Sequence, residues 1–194
     1  MDKKIVVKTK EDIQMVYSSV SYYTELTIAQ MLKDLNIKDT ITSDEIAAKI
    51  KAIETEQDIA LDERQRLAVS EAVNNGLTII TGGPGRGKTT DISFIIEVEK
   101  ILHKNAEILL CAPTGRARRR MSDCTAYPAL TIHKAIGLKG EAGEEEWDEE
   151  SMLEASLIIV DECSMIDMPL MNKFLSRVPI GTRLVFLGDK DQLE

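Results

Sequence analysis

An eight-residue loop constrains the fold of this chain more than any other feature. The loop fits the pattern glycine, any four residues, glycine, lysine, threonine, and it reads Gly82-Gly83-Pro84-Gly85-Arg86-Gly87-Lys88-Thr89. The apolar run 77–81 before it predicts a buried strand, and the segment from Thr90 onward predicts a helix. A strand, a glycine-rich loop and a helix in this order form a cradle for phosphate groups.

Each part of this loop has a chemical role in such a cradle. Glycines let backbone N–H groups turn toward phosphate oxygens, and the helix N-terminus adds partial positive charge. Lys88 supplies a cation for the β- and γ-phosphates, and the hydroxyl of Thr89 suits Mg²⁺. A chance lysine in a glycine-rich turn is the alternative, but it does not explain the strand and the helix on either side. We therefore predict that the run from Gly82 to Thr90 binds a purine nucleotide.

A second motif downstream supplies acidic side chains. Four consecutive apolar residues, 157–160, predict a strand buried on both faces, as in a parallel sheet covered by helices. Asp161 and Glu162 follow at the carboxyl end of this strand. We predict that Asp161 holds the metal and that Glu162 orients and deprotonates the attacking water. The alternative is that Asp161 caps a helix beside ordinary surface acids.

Charge is divided unevenly along the chain. The net charge is −9, yet residues 141–154 contain eight carboxylates and no Lys or Arg, so the remainder is close to neutral. Residues 116–139, in contrast, contain six Lys or Arg and one Asp. This basic stretch suits either a nucleic-acid backbone or an ordinary solvated helix face.

Composition argues against several classes of protein. No apolar stretch is long enough to span a membrane, and the amino terminus lacks the apolar core of a signal peptide. The three cysteines, Cys111, Cys124 and Cys163, form no CxxC pair. We therefore expect a cytoplasmic protein with no membrane partner, in which Cys111 and Cys163 are small core residues rather than nucleophiles.

The chain divides into two blocks near residue 60. We predict a small helical segment over residues 1–60 and an α/β domain with a parallel sheet over residues 61–194. The apolar spacing from Glu11 to Leu35 suits one or two amphipathic helices, and Ser43 suits the cap of a further helix. That helix would bury Ile46, Ala47, Ile50 and Ile53 on one face. Strands are predicted at 77–81, 108–112, 157–160 and 184–187.

Polar residues also follow the other predicted strands. The strand 108–112 leads into a loop whose hydroxyl, backbone amides and guanidinium suit the phosphates of a nucleic-acid strand. The residues of this loop are Pro113, Thr114, Gly115 and Arg116. After the strand 184–187, Asp189 and Gln192 come to the same edge as the lysine of the phosphate cradle, where a glutamine can sense a γ-phosphate.

Gln65 admits two roles. With Asp62 it has the spacing of a capping box at the start of a predicted helix. Its amide can also read the donor and acceptor edge of adenine. The sequence favours neither role, and the two exclude each other only partly.

Taken together, the motifs resemble the first motor domain of a RecD/TraA-type superfamily 1 DNA helicase. The resemblance covers residues 61–194, in order and spacing, through the segments GGPGRGKTT, APTGRARRRM, LTIHKAIGL, VDECSM and GDKDQL. Tyr22-Tyr23 followed by helices is similar to the segment before the motor in that family. The resemblance implies a RecA-like P-loop NTPase domain, ATP-driven 5′ to 3′ translocation on single-stranded DNA, and ATP and Mg²⁺ as cofactors.

The same resemblance implies roles for individual residues. Those near the nucleotide are Gln65 for adenine, Lys88 and Thr89 for phosphates and metal, Asp161 and Glu162 for metal and water, and Gln192 for the γ-phosphate. Those that contact DNA are Pro113, Thr114, Gly115, Arg116, Thr131 and His133. For His133 the alternative is a core or capping histidine.

Two departures from the family pattern bear on activity. Arg86 stands where the family usually has a small hydroxyl residue or alanine, and its cation either reaches the γ-phosphate or crowds the pocket. The sequence ends at Glu194, before the second RecA-like domain that completes the nucleotide cleft in the family. We therefore expect a fragment that hydrolyses ATP and contacts DNA without unwinding duplex alone. A non-catalytic nucleotide-binding or interaction module with a degraded P-loop is the alternative.

Overall fold

Parallel strands form the centre of the molecule. The computed structural model describes residues 5–83, 87–137 and 151–189. Within these residues a five-stranded parallel sheet has the order β3-β7-β6-β4-β5. Its strands are β3 (Leu77–Thr81), β4 (Ile108–Ala112), β5 (Ala129–Thr131), β6 (Leu157–Val160) and β7 (Arg183–Gly188). The predicted parallel sheet is confirmed, and β5 is a short strand that the apolar pattern did not reveal.

Helices cover both faces of this sheet. They are α1 (Ser19–Leu35), α2 (Ser43–Gln57), α3 (Glu63–Asn74), α4 (Lys88–Leu102), α5 (Gly115–Thr125), α6 (Ile132–Ala135) and α7 (Met168–Leu175). Side chains alternate along a strand, so β6 sends Ile159 toward α2, α3 and α4, and Ile158 toward α1 and α7. The two hydrophobic cores therefore lie on opposite faces of one sheet. None of the described helices is both long and apolar enough to cross a membrane.

Helices α1 and α2 belong to these cores. Ile46, Ile50 and Ile53 of α2 are buried with α3 and α4, whereas Leu35 of α1 is buried against the α7 side. The cap of α2 is Thr42, whose hydroxyl accepts a hydrogen bond from the Glu45 amide at 3.3 Å, so the predicted Ser43 cap is wrong by one residue. Ala47 was expected on the buried face but is exposed.

The predicted helix from Glu11 is wrong over its first residues. The strands β1 (Ile5–Lys10) and β2 (Ile13–Ser18) form an antiparallel hairpin, and α1 begins only at Ser19. The two turn residues, Glu11 and Asp12, have φ values of 49° and 64°, which is the backbone of a type I′ turn and matches the twist of paired strands. Apolar residues spaced three apart in this segment are compatible with a helix, but strand pairing determines the outcome.

A buried arginine connects several elements at the amino-terminal end of β7. Arg183, at the start of β7, pairs with the fully buried carboxylate of Glu99 on α4 and donates a 2.7 Å hydrogen bond to the carbonyl of Val73 on α3. Its guanidinium also lies 3.8 Å from a carboxylate oxygen of Asp39, between α1 and α2. The cluster links the amino-terminal helices to the sheet.

Candidate functional site

The glycine-rich loop, predicted to bind phosphate, joins β3 to α4, as the sequence pattern predicts. Gly82 and Gly83 follow β3, and α4 begins at Lys88 after Gly87, whose φ of 82° is in the left-handed region that glycine adopts without strain. Pro84, Gly85 and Arg86 lie outside the described residues. No side chain of the described residues caps α4, so the first N–H groups of this helix are oriented for an anion.

Lys88 is held close to the loop. Its Nζ donates a 2.7 Å hydrogen bond to the carbonyl of Gly82, across the start of the loop. Thr89 and Thr90 occupy the first turn of α4 and are partly exposed. The ammonium therefore lies where the loop and the helix N-terminus converge.

Two acidic residues lie at the carboxyl end of β6, between β7 and β4. Asp161 accepts a 2.8 Å hydrogen bond from the Glu162 amide, and its own amide donates to the carbonyl of Cys111 on β4. The short 3-10 helix that follows, Cys163–Met165, begins after Glu162 and has no side-chain cap. Asp161 therefore does not act as a helix cap. Glu162 has a φ of 54°, a strained backbone for a residue with a side chain, of the kind that clusters at functional sites.

The residues beside these acids support a packed, non-nucleophilic role for two cysteines. Cys111 is fully buried, and burial raises the pKa of its thiol to about 12. Burial also raises the pKa of Cys163, and the negative charge of Asp161 adds to that effect. Neither thiol forms a thiolate readily near neutral pH.

All five strands are parallel, so their carboxyl ends meet at one edge of the sheet. The phosphate loop, Asp161, Asp189 and the start of α5 lie at that edge. Gln192 lies outside the described residues, so its predicted place near the γ-phosphate remains a prediction.

A family model described as "AAA domain" matches residues 65–194. The chain belongs to the AAA domain family. A RecBCD enzyme subunit RecD from Buchnera aphidicola is 29% identical over 92% of this chain and 32% of its own length. An ATP-dependent RecD2 DNA helicase from Deinococcus radiodurans is 36% identical over 69% of this chain and 18% of its own length.

The chain thus spans about a third or less of these curated relatives, covering 32% and 18% of their lengths. Their similarity confirms the resemblance to the first motor region of RecD-type helicases. A crystal structure of the UvsW helicase from bacteriophage T4 has a TM-score of 0.58 at 12% identity and covers 80% of this chain and 62% of that one. This likeness concerns the fold alone and agrees with a RecA-like AAA domain.

The loop after β4 in this AAA domain leads directly into a basic helix. The hydroxyl of Thr114 caps α5 by accepting from the Ala117 amide at 3.2 Å, and Pro113 is half-buried before it. Gly115 and Arg116 are exposed. The capping bond occupies one lone pair of the hydroxyl, and Arg119 and Arg120 of α5 are also exposed.

The short helix α6 follows β5 at the same edge of the AAA domain. Thr131 caps it by accepting from the Lys134 amide at 3.2 Å. His133 is exposed on α6, so the core interpretation of this histidine is wrong, while its contact with DNA remains a prediction. Arg120 of α5 brings its Nη1 to 4.0 Å from Oε1 of Glu162, which places the basic helix beside the acidic pair.

Gln65 forms the capping box that the sequence offered as one of its roles. Its backbone N–H donates to the Asp62 side chain at 2.8 Å, and the Asp62 backbone amide donates to its Oε1 at 3.1 Å, while its contact with adenine remains a prediction. Its Nε2 donates to the carboxylate of Asp91 on α4 at 3.0 Å. Asp91 was not predicted as a site residue from the sequence. Its position in the first turn of the helix after the phosphate loop, where a carboxylate interacts favourably with the helix N-terminus, could have marked it as a candidate.

Proposed function

We propose that this chain is the first motor region of a longer RecD-type ATP-dependent DNA helicase. In this proposal it binds Mg²⁺-ATP between the phosphate loop and β6, hydrolyses it, and contacts single-stranded DNA along α5 and α6. The observation that carries the proposal is the meeting of the uncapped start of α4, Lys88 and the acidic pair Asp161 and Glu162 at one sheet edge. The basic helix α5 begins at that same edge.

The residues fit the cofactors. Mg²⁺ prefers oxygen ligands and is commonly held by one or two carboxylates together with substrate phosphates. The hydroxyl of Thr89 and the carboxylate of Asp161 would hold it, and bound Mg²⁺ would neutralise charge on the phosphates. Lys88 would leave the carbonyl of Gly82 for the β- and γ-phosphates. Glu162, beside Asp161, would orient and accept a proton from the attacking water.

We further propose that movement along DNA, 5′ to 3′, requires a second RecA-like domain as partner. The matched parts are only 32% and 18% of the lengths of the curated relatives, which supports such a partner in the longer protein. Arg86 in the loop and Gln192 after β7 would act on the γ-phosphate. The cytoplasmic location likewise remains a proposal.

Calorimetry with Mg²⁺-ATP on the 194-residue chain tests the nucleotide site. We expect binding that Lys88→Ala abolishes and that the exposed control Lys104→Ala retains. Turnover is followed with and without oligo-dT, and a slow rate that oligo-dT raises supports a motor. Binding without turnover, even after addition of a second domain, would instead favour a non-catalytic module.

The role of Arg86 is tested by measuring ATP binding to the Arg86→Thr variant as well. If the parent chain does not bind ATP but Arg86→Thr does, the arginine crowds the pocket. If neither binds, the nucleotide site is contradicted and the proposal fails.

A further inference from the structure

Asp91 is a buried carboxylate that the phosphate-binding pattern does not require. It lies in the first turn of α4, three residues after Lys88, and is only 4% exposed. Burial raises the pKa of its carboxyl, the hydrogen bond from Gln65 opposes this change, and the negative charge of Asp62 adds to it. Burying a carboxylate is costly unless it is hydrogen-bonded, so its partner identifies its role.

That partner is the side-chain amide of Gln65, which is held at both ends. The Asp62 amide can only donate, so it faces the oxygen Oε1, and the carboxylate of Asp91 accepts from Nε2. These two bonds leave no ambiguity about which end is oxygen and which is nitrogen. A glutamine amide has two N–H donors and two lone pairs on its oxygen, so one of each remains for a ligand.

The held amide lies where the phosphate loop meets a groove. A β-carbon added to Gly87 would lie 2.6 Å from Nε2 of Gln65, so the amide rests directly on the last glycine of the loop. The groove has a volume of about 540 Å³ and is lined by Gln65, Lys88 and Asp91 together with the apolar Leu67 and Ala68. It is large enough for a nucleotide base and is continuous with the phosphate end of the site.

We propose that Asp91 is a specificity-determining positioning residue, which fixes the Gln65 amide so that the site selects adenine over guanine nucleotides. This inference rests on the proposed function and states how the site would select the base of its nucleotide. The fixed amide offers one donor and one acceptor side by side. Adenine presents a matching acceptor, N7, and donor, the 6-amino group, whereas guanine presents two acceptors, N7 and O6.

Replacement of Asp91 tests this role through the ratio of the affinities for ATP and GTP. In Asp91→Ala the amide is held at one end only, so it can turn to suit guanine. A bidentate contact to a base contributes about 1–3 kcal/mol of discrimination, so the parent should bind ATP about 5- to 150-fold more tightly than GTP, and the variant should lose most of that ratio. Asp91→Asn keeps an acceptor oxygen toward Nε2 and should retain most of the preference.

The controls separate the possible outcomes. Inorganic tripolyphosphate reports on the phosphate loop alone, and its affinity should not differ between the parent and the two variants. Circular dichroism and thermal unfolding without nucleotide establish that the variants fold, and Asp91→Ser, whose short hydroxyl does not reach the amide, replaces Asp91→Ala if that variant does not fold.

A parent that binds neither ATP nor tripolyphosphate contradicts the proposed function itself. A parent that binds both nucleotides equally, or variants that weaken ATP and GTP by the same factor, overturn the role of Asp91 and leave the proposed function in place.

Discussion

Gly76 and Leu35 approach each other so closely that no side chain fits between them. A β-carbon on Gly76, just before β3, would lie 2.0 Å from the carbonyl oxygen of Leu35 at the end of α1, and 2.5 Å from the amide nitrogen of Ile37. Nearby, the Asp39 amide donates a 2.8 Å hydrogen bond to the carbonyl of Asn74. The backbone after α1 is thus seated directly on the turn that leads into the phosphate-loop strand.

Gly76→Ala should therefore destabilise the whole chain. The obstructing atoms are backbone, which cannot rotate away, and overpacking of this kind costs about 1–3 kcal/mol. Chemical denaturation measures the free energy of unfolding. Gly115→Ala is the matched control, because a β-carbon there meets no atom within 4 Å. Equal stability of the two variants would show that the backbone after α1 can move away from residue 76 without loss of stability.

Arg183→Met should lower the free energy of unfolding more than Gly76→Ala does. It leaves the carboxylate of Glu99, which is fully buried, without its guanidinium partner, and breaking a buried pair costs about 3–5 kcal/mol. The pair of Arg66 and Glu54 is the contrast: the Arg66 side chain is exposed, so Arg66→Ala should cost about 1 kcal/mol or less.

The double variant Arg183→Met, Glu99→Leu distinguishes the loss of the guanidinium partner of a buried carboxylate from the loss of packing. Apolar replacement of both partners is often close to neutral, so much of the lost stability should return. No recovery in urea denaturation would mean that the bond from Arg183 to the carbonyl of Val73 matters more than the ion pair.

Arg116→Ala should weaken DNA binding in a way that depends on salt. Each cation that neutralises a phosphate releases counterions, so its removal should lower the slope of log affinity against log salt by about one. Fluorescence anisotropy with labelled oligo-dT at several salt concentrations measures this slope. Lys51→Ala on α2 is the control, and a slope that both variants leave unchanged would make α5 an ordinary solvated helix.

The three cysteines should differ sharply in reactivity. Cys124 is exposed, whereas Cys111 is buried with a pKa of about 12 and Cys163 is partly buried with a raised pKa. A raised pKa lowers the thiolate fraction at a given pH, so at pH 8 Cys124 should react with a thiol reagent first. Reaction at Cys163 should accelerate as the pH rises, and all three should react in guanidinium. Rapid labelling of Cys111 in the folded chain would contradict the packed core.

Local patterns made part of this fold predictable. Three strands were predicted because each is a continuous apolar run followed directly by a polar motif. The structure gives them the predicted bounds, 77–81, 108–112 and 157–160. The capping box of Gln65 depends on residues three apart and was visible in the sequence. The hairpin was missed because Ile13, Val16 and Val20 are spaced three and four residues apart, as on a helix, and the pairing of β2 with β1 has no local signal.

Other features have no local signal. The bond between Gln65 and Asp91 joins residues 26 positions apart, and the pair of Arg183 and Glu99 joins residues 84 positions apart. The sequence showed these polar and charged residues but not their partners, because only the folded chain brings them together. The roles of Arg86 and Gln192, and the division of the chain near residue 60, remain predictions.

The placement of α1 and α2 on opposite faces of the sheet also has a consequence for synthesis on the ribosome. Helix α2 packs against α3 and α4, which follow it closely in the chain, whereas α1 packs against α7, which is translated more than a hundred residues later. At about 5–20 residues per second, the apolar face of α1 stays uncovered for several seconds or more until α7 has been made. Newly made chains should therefore need protection from chaperones during that interval, and interruption of translation before β7 should leave a product that aggregates.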